Sequence, residues 1–297
     1  MRRTYGMQLT IERYTEMVAP LDVRDLDLAN AFRTQRLDED VLRCLRYMHD
    51  IEMHTICYLR DLLVTSAHRD PEITTFLTFW SFEEYWHGEA IATVLRAHGE
   101  VAGAARVREL RRTRRVAEAT KPFTHGLASL VVGPSMTAVH MTWGAINEWT
   151  TQAGYARLAQ RCNHPILTEM LRRIMKQEGR HIDFYAAQAS RRLADNRRAQ
   201  WLTRQALKRF WAPVGSDVMP KSEVRHLISY LFGGEDGAAM VARIDRRIDS
   251  LPGLSGLGLV TAARASMTGE LGDDGSERFD VVGTDADIAE APSLAAA

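Results

Sequence analysis

SFEEYWHG, residues 81–88, and KQEGRHID, residues 176–183, decide how this chain is to be read. Each holds Glu-x-x-His, as Glu84 with His87 and as Glu178 with His181. That spacing puts a carboxylate and an imidazole one turn apart on one face of a helix. Around each pair, apolar residues recur at three- and four-residue steps. Phe76, Trp80, Ile91 and Val94 flank the first pair, and Leu167, Leu171, Ile174 and Tyr185 flank the second. Both pairs thus interrupt the stripe that a helix turns towards a core.

Two further stripes are interrupted by a single carboxylate. Glu52 falls among Val41, Leu45, Met48, Ile56, Leu59 and Leu63, and Glu148 among Met141, Ala145, Tyr155 and Leu158. Glu52 precedes Glu84 by 32 residues and Glu148 precedes Glu178 by 30. An ionised carboxylate in a dry core is costly unless it is paired or bound to metal, and four together repel one another. Two divalent cations neutralise four carboxylates, and oxygen plus imidazole ligands suit iron or manganese. A Glu from each of two helices, with Glu-x-x-His from each of two others, is the ligand pattern of di-iron helical bundles. The expected metal ligands are Glu52, Glu84, His87, Glu148, Glu178 and His181. Glu83 is an alternative to Glu84, since the two faces lie only about 100° apart. His49, one turn before Glu52, is a candidate to back the ligands, and His54 reads as ordinary surface or interface. A third Glu-x-x-His, Glu223 with His226, has no lone Glu partner and reads as surface.

Outward from these segments the chain is mainly helical, with only nine prolines and no alternating Val/Ile/Thr run. Short helical pieces are expected over the first 37 residues, broken at Pro20 and Thr34. Long helices follow from Asp38 to Val64 and from Pro71 to His98, then a basic crossover helix over Ala102–Thr120. A third long helix, with Ser135 as its N-cap, runs to Cys162, and a fourth starts at Pro165 and runs to Asp195. Shorter helices are expected at 197–211, 221–232 and 235–249. The fold class is all-α, a ferritin-like four-helix core of two hairpins with additional helices. Residues 1–252 form the helical domain and residues 253–297 a flexible acidic tail.

Charge refines this picture. Of 297 residues, 38 are basic and 38 acidic, but residues 269–297 carry eight acids and one base. That tail is net −7, so residues 1–268 are net +7. Three cysteines, Cys44, Cys57 and Cys162, are too few and scattered for a disulfide framework or a thiolate metal site. No stretch has the length and apolarity of a signal peptide or membrane span, so a cytoplasmic protein is expected. Arg106, Arg108, Arg111, Arg112, Arg114 and Arg115 crowd the crossover, and Arg191, Arg192, Arg197 and Arg198 follow the second motif. Such a face would steer an acidic partner. Nucleic acid fits less well, because no aromatics are interleaved with the arginines.

At its motifs the chain resembles the soluble acyl-acyl-carrier-protein desaturases. Glu83-Glu84-Tyr85-Trp86-His87-Gly88 is similar to that family's E-E-x-x-H-G, and Glu178-Gly179-Arg180-His181 to its E-x-R-H. Glu148-Trp149-Thr150-Thr151 is similar to its E-x-x-T, which implies that Thr151 lies beside the oxygen-binding face of the cluster. The likeness spans roughly residues 25–250, strong at the motifs and faint between them. Two positions depart from the family: Gln177 stands where it usually has an acid, and Tyr155 where it often has histidine. The resemblance implies two iron ions, ferrous when reduced, with dioxygen as co-substrate. It further implies introduction of a cis double bond into a fatty acyl chain on acyl carrier protein. A ferredoxin-type electron donor and a homodimer are expected on the same ground. Two other functions are carried beside this one: a di-iron oxygenase or N-oxygenase acting on another small molecule, and iron storage or ferroxidase activity. Ferritins are shorter and lack Glu-x-x-His in both hairpins, so storage ranks last.

Overall fold

Asp70 and Pro71 show how sharply local chemistry sets the helix starts. The Asp70 carboxylate accepts from the backbone N–H groups of Glu72 (3.0 Å) and Ile73 (3.3 Å), while Pro71 has no N–H to satisfy. His164 and Pro165 open the last long helix similarly, with the imidazole accepting from Leu167 N–H. The computed structural model describes residues 10–269, and within them the chain is all-α. The helices are α1 (Ile11–Met17), α2 (Leu28–Ala31), α3 (Glu39–Leu63), α4 (Pro71–Ala97), α5 (Ala104–Thr113) and α6 (Arg115–Val132). After them come α7 (Ser135–Arg161), α8 (Pro165–Leu193), α9 (Arg197–Phe210), α10 (Lys221–Phe232), α11 (Gly234–Asp249) and α12 (Leu259–Thr268).

The four long helices pack as two consecutive pairs, α3 with α4 and α7 with α8, and the pairs meet along α3–α7 and α4–α8. Aromatic rings fill the α4–α8 seam: Phe76 stacks on Phe184 at 3.9 Å, and Tyr185 stands edge-on to Trp80. Gly144 lets α7 lie directly on α8, since a Cβ there would strike the Tyr185 ring. The N-terminal segment lies across this assembly and buries Tyr14 completely.

Several sequence expectations need correction. The crossover is two helices, α5 and α6, and the second continues through Pro122 to Val132. Ser135 is the first residue of α7, and its cap position is Pro134, which has no side-chain oxygen to offer. Ile56 and Leu63 are exposed, while Asp61 and Leu62 are buried instead. The boundary at residue 252 falls too early. Leu259, Val260 and Ala263 bury one face of α12 against α10 and α11, and the Asp245 carboxylate accepts from Val260 and Thr261 N–H at its start. The acidic stretch from Glu270 onward, expected to be flexible, lies outside the described residues.

Candidate metal centre

The six residues marked by interrupted stripes come together midway along the four long helices. They form two overlapping groups whose ligand atoms lie within 4.8 Å of one another: Glu52, Glu84, His87 and Glu178, and Glu84, Glu148, Glu178 and His181. Glu84 and Glu178 belong to both groups, so each group could hold a metal ion and the two would share two carboxylates. All six are buried. Each imidazole turns Nδ1 inward: His87 Nδ1 lies 3.1 Å from Glu84 and 3.4 Å from Glu178, and His181 Nδ1 lies 3.1 Å from each of the same two.

Around these six stands a ring of residues that orient them. Trp80 Nε1–H donates to Glu148 at 2.9 Å, and the Tyr155 hydroxyl donates to Glu52. Behind His181, Nε2 meets Glu83 at 2.9 Å, and Glu83 also accepts from Tyr14 (2.9 Å) and Arg180. Behind His87, Nε2 meets the Gln177 carbonyl oxygen at 2.8 Å, and the Gln177 amide donates to Ala19 O at 3.0 Å. Glu83 therefore stands behind a ligand, while Glu84 stands in both groups. Sequence reading took Trp80 and Tyr155 as apolar stripe and Gln177 only as a departure from a family pattern. Their bonds span 68 to 103 residues of sequence, and no local periodicity announces such pairs.

The electrostatics fit cations. Burial, followed by repulsion from Glu84, pushes Glu52 well above the usual carboxylate range. Burial, with Glu178 and Glu84 behind it, does the same to Glu148. Burial also favours neutral Glu84 and Glu178, but hydrogen bonds outweigh it and hold both below their ordinary values; the two imidazoles contribute in each case. Burial opposes charging of His87, yet its bonds to Glu178 and Glu84 lift it to about 9. Crowding thus pushes Glu52 and Glu148 towards their neutral forms and the two imidazoles towards their charged ones. Glu178 Oε1 has His87 Nδ1 beside it at 3.4 Å, a long contact in a buried setting. A centre of four buried carboxylates and two inward imidazoles fits divalent metal, whose binding displaces protons from such groups.

Other sequence candidates have different work. His49 accepts from Gly103 N–H at 2.9 Å and contacts Asp50, so it anchors the turn into α5 and does not back the centre. His54 is buried, not at the surface, and meets Glu118 at 3.2 Å. With Cys57 these form a further His/Cys/Glu group, but Glu118 already accepts from Lys121 and Arg60. Two cations on one carboxylate make that group an ion-pair network joining α3 to α6. Glu223 forms a bidentate pair with Arg43, 2.8 and 2.7 Å, and takes no part in the centre.

A cavity adjoins the Glu52 side, about 770 Å3 including its open mouth. Its wall is nearly all apolar, contributed largely by α3, α7, α10, α11 and α12, and Glu52, Thr151 and Tyr155 are among its lining residues. Comparison with protein-family models, curated proteins and solved structures finds no match. Among the described residues, no helix is long and apolar enough to cross a membrane.

Proposed function

We propose that this chain is an oxygen-dependent oxidoreductase of the acyl-acyl-carrier-protein desaturase type, built on a ferritin-like bundle. Glu52, Glu84, His87, Glu148, Glu178 and His181 would hold two iron ions, which supply redox chemistry with dioxygen. The observation that carries the reading is the apolar cavity that Glu52 and Thr151 help to line. A methylene chain needs such a wall and gains from leaving water, whereas a polar metabolite would leave its hydrogen bonds unmet there.

The chain's own residues divide the work. Ile51, Leu227 and Val260 belong to a wall that excludes water and lays an acyl chain against the centre. Tyr155 and Trp80 fix the two lone glutamates by hydrogen bonds, leaving their other oxygens to the metal side. Thr151, one turn beyond Glu148, lines the cavity where it meets the centre, as suits a residue that influences oxygen activation. The overall change removes two hydrogens from neighbouring carbons. Dioxygen takes these together with two electrons from an external donor and two protons, and leaves as two waters.

The carrier protein and the donor are acidic partners in this reading, met by the arginine-rich face of α5. Part of that face is engaged within the chain: Arg106 pairs with Asp50, Arg112 with Glu109, and Arg114 bonds Asp217 O. Arg111 donates to Met53 O at 2.9 Å, and Arg108 and Arg115 are exposed. The direct test incubates the iron-loaded protein with acyl carrier protein thioesters, a ferredoxin-type reducing system and oxygen, and reads the products by mass spectrometry. An oxygen-dependent loss of two hydrogens from the acyl group is the expected result. Hydroxylated product, or turnover only of non-acyl substrates, would replace desaturation with another oxidation at the same centre.

A further inference from the structure

The centre has a near-symmetry that is broken at one place. Its two halves each offer one lone glutamate, Glu52 or Glu148, each oriented by one aromatic donor, Tyr155 or Trp80. They share Glu84 and Glu178, and each adds an imidazole through Nδ1. What differs is the group behind each imidazole. His181 Nε2 meets a carboxylate, Glu83, at 2.9 Å, and His87 Nε2 meets a neutral amide, Gln177, at 2.8 Å.

We propose, resting on the metal-centre reading above, that the two metal positions are inequivalent. The position served by His181 binds its ion more tightly and fills first, and residues 83 and 177 set that order.

An imidazole that donates to a carboxylate is a stronger base towards metal than one donating to an amide, because the accepting charge stabilises the positive character that coordination places on the ring. Partners of this outer kind are worth roughly 10- to 100-fold in metal affinity. Arg180 also bonds Glu83, but through Oε1, whereas His181 and Tyr14 share Oε2. Its guanidinium favours an ionised Glu83 and leaves the charge facing His181 in place. On the other side the amide cannot reverse its polarity. Gln177 Nε2 is committed to Ala19 O, so its carbonyl oxygen faces His87 and contributes a dipole in place of a charge. Both backing groups are buried, Glu83 completely, so water does little to level the difference.

The experiment titrates manganese(II) into the metal-free full-length chain and follows free and bound ion by electron paramagnetic resonance. Wild type should show two binding phases. His87→Ala, which spares the His181 position, should retain the tight phase. His181→Ala should bind its remaining ion about 10- to 100-fold more weakly. Two substitutions leave all six ligands in place and separate the cause from mere damage. Glu83→Gln should weaken the tight phase towards the other, and Gln177→Glu should strengthen the weak one. Equal affinities in the two histidine variants, or phases unmoved by changes at 83 and 177, would overturn the inequivalence and leave the metal centre standing. No manganese binding by wild type at all would overturn both.

Discussion

The inner faces of the four long helices and the outer face of α6 both reverse the usual placement of side chains, in opposite senses. Inside, four glutamates and two histidines sit where apolar residues belong. Outside, Phe123 and Leu130 on α6 are 80% and 82% exposed, with Val116, Leu127 and Val131 beside them. The energetic consequences are far from equal. A carboxylate moved from water into the core loses its hydration and must be compensated by a proton, a hydrogen bond or a metal. An apolar side chain left in water is little worse off than in the unfolded chain, so an isolated fold bears the α6 stripe at almost no cost. Burial, not polarity, makes a misplaced group consequential.

The sharpest way to break this comparison is to empty the inside. Changing Glu148 and Glu178 together to Ala should take metal content from about two ions per chain to none, as elemental analysis would show. It should also abolish metal-dependent stabilisation, expected at about 2.7 kcal/mol for each site whose metal stands at 100 times its dissociation constant. A double variant that still melts higher with metal would remove the centre from these residues. Next in size is a purely steric intrusion. Gly144→Ala places a methyl group into the Tyr185 ring, and overpacking of this kind costs about 1–3 kcal/mol. An unchanged denaturant midpoint would mean that α7 and α8 part more easily than their seam implies.

The four long helices were legible in the sequence because their signals are local and repeated. Asp70-Pro71 and Pro165 mark starts, and stripes of six or seven turns outvote any single residue. The glutamates and histidines were legible for the same reason, as breaks in those stripes. Illegible were features set by neighbours far along the chain. Nothing at Arg114-Arg115 announces the break between α5 and α6, and nothing in the stripe around Glu52 announces that Ile56 is exposed. The placement of α12 depends on Asp245, 15 residues earlier, which the small and polar composition after Pro252 does not disclose. Gln177 is the plainest case. Its residue type was visible, but its bond to His87 joins two helices 90 positions apart.

A finer test lies with His140, a buried polar group outside the centre. Burial, then the neighbouring His125, brings its imidazole down to about 3. The unfolded chain therefore takes up a proton that the folded one refuses between roughly pH 6.5 and pH 3. This contribution to stability is complete above pH 6.5 and is lost as pH falls through that window. Replacing His140 with Leu should flatten the decline, seen as a smaller shift in urea midpoint between pH 7 and pH 5. An unaltered slope would mean that water reaches the ring. The smallest effect is expected outside. Leu130→Ser should change folding stability by no more than about 0.5 kcal/mol. A larger loss, read from the denaturant midpoint, would show that the α6 stripe is not idle in the folded chain.

The ties from Tyr14 to Glu83 and from Gln177 to Ala19 have a consequence in time. During synthesis Ala19 leaves the ribosome 158 residues ahead of Gln177, and Tyr14 is 69 ahead of Glu83. At about 5–20 residues per second, Ala19 waits roughly ten to thirty seconds for its donor to be made. Over that interval the leading segment has no finished seat, and the histidines it helps to orient have not both been translated. Maturation of the centre therefore waits until the chain has been made past His181, when its first-made part can close over a later one.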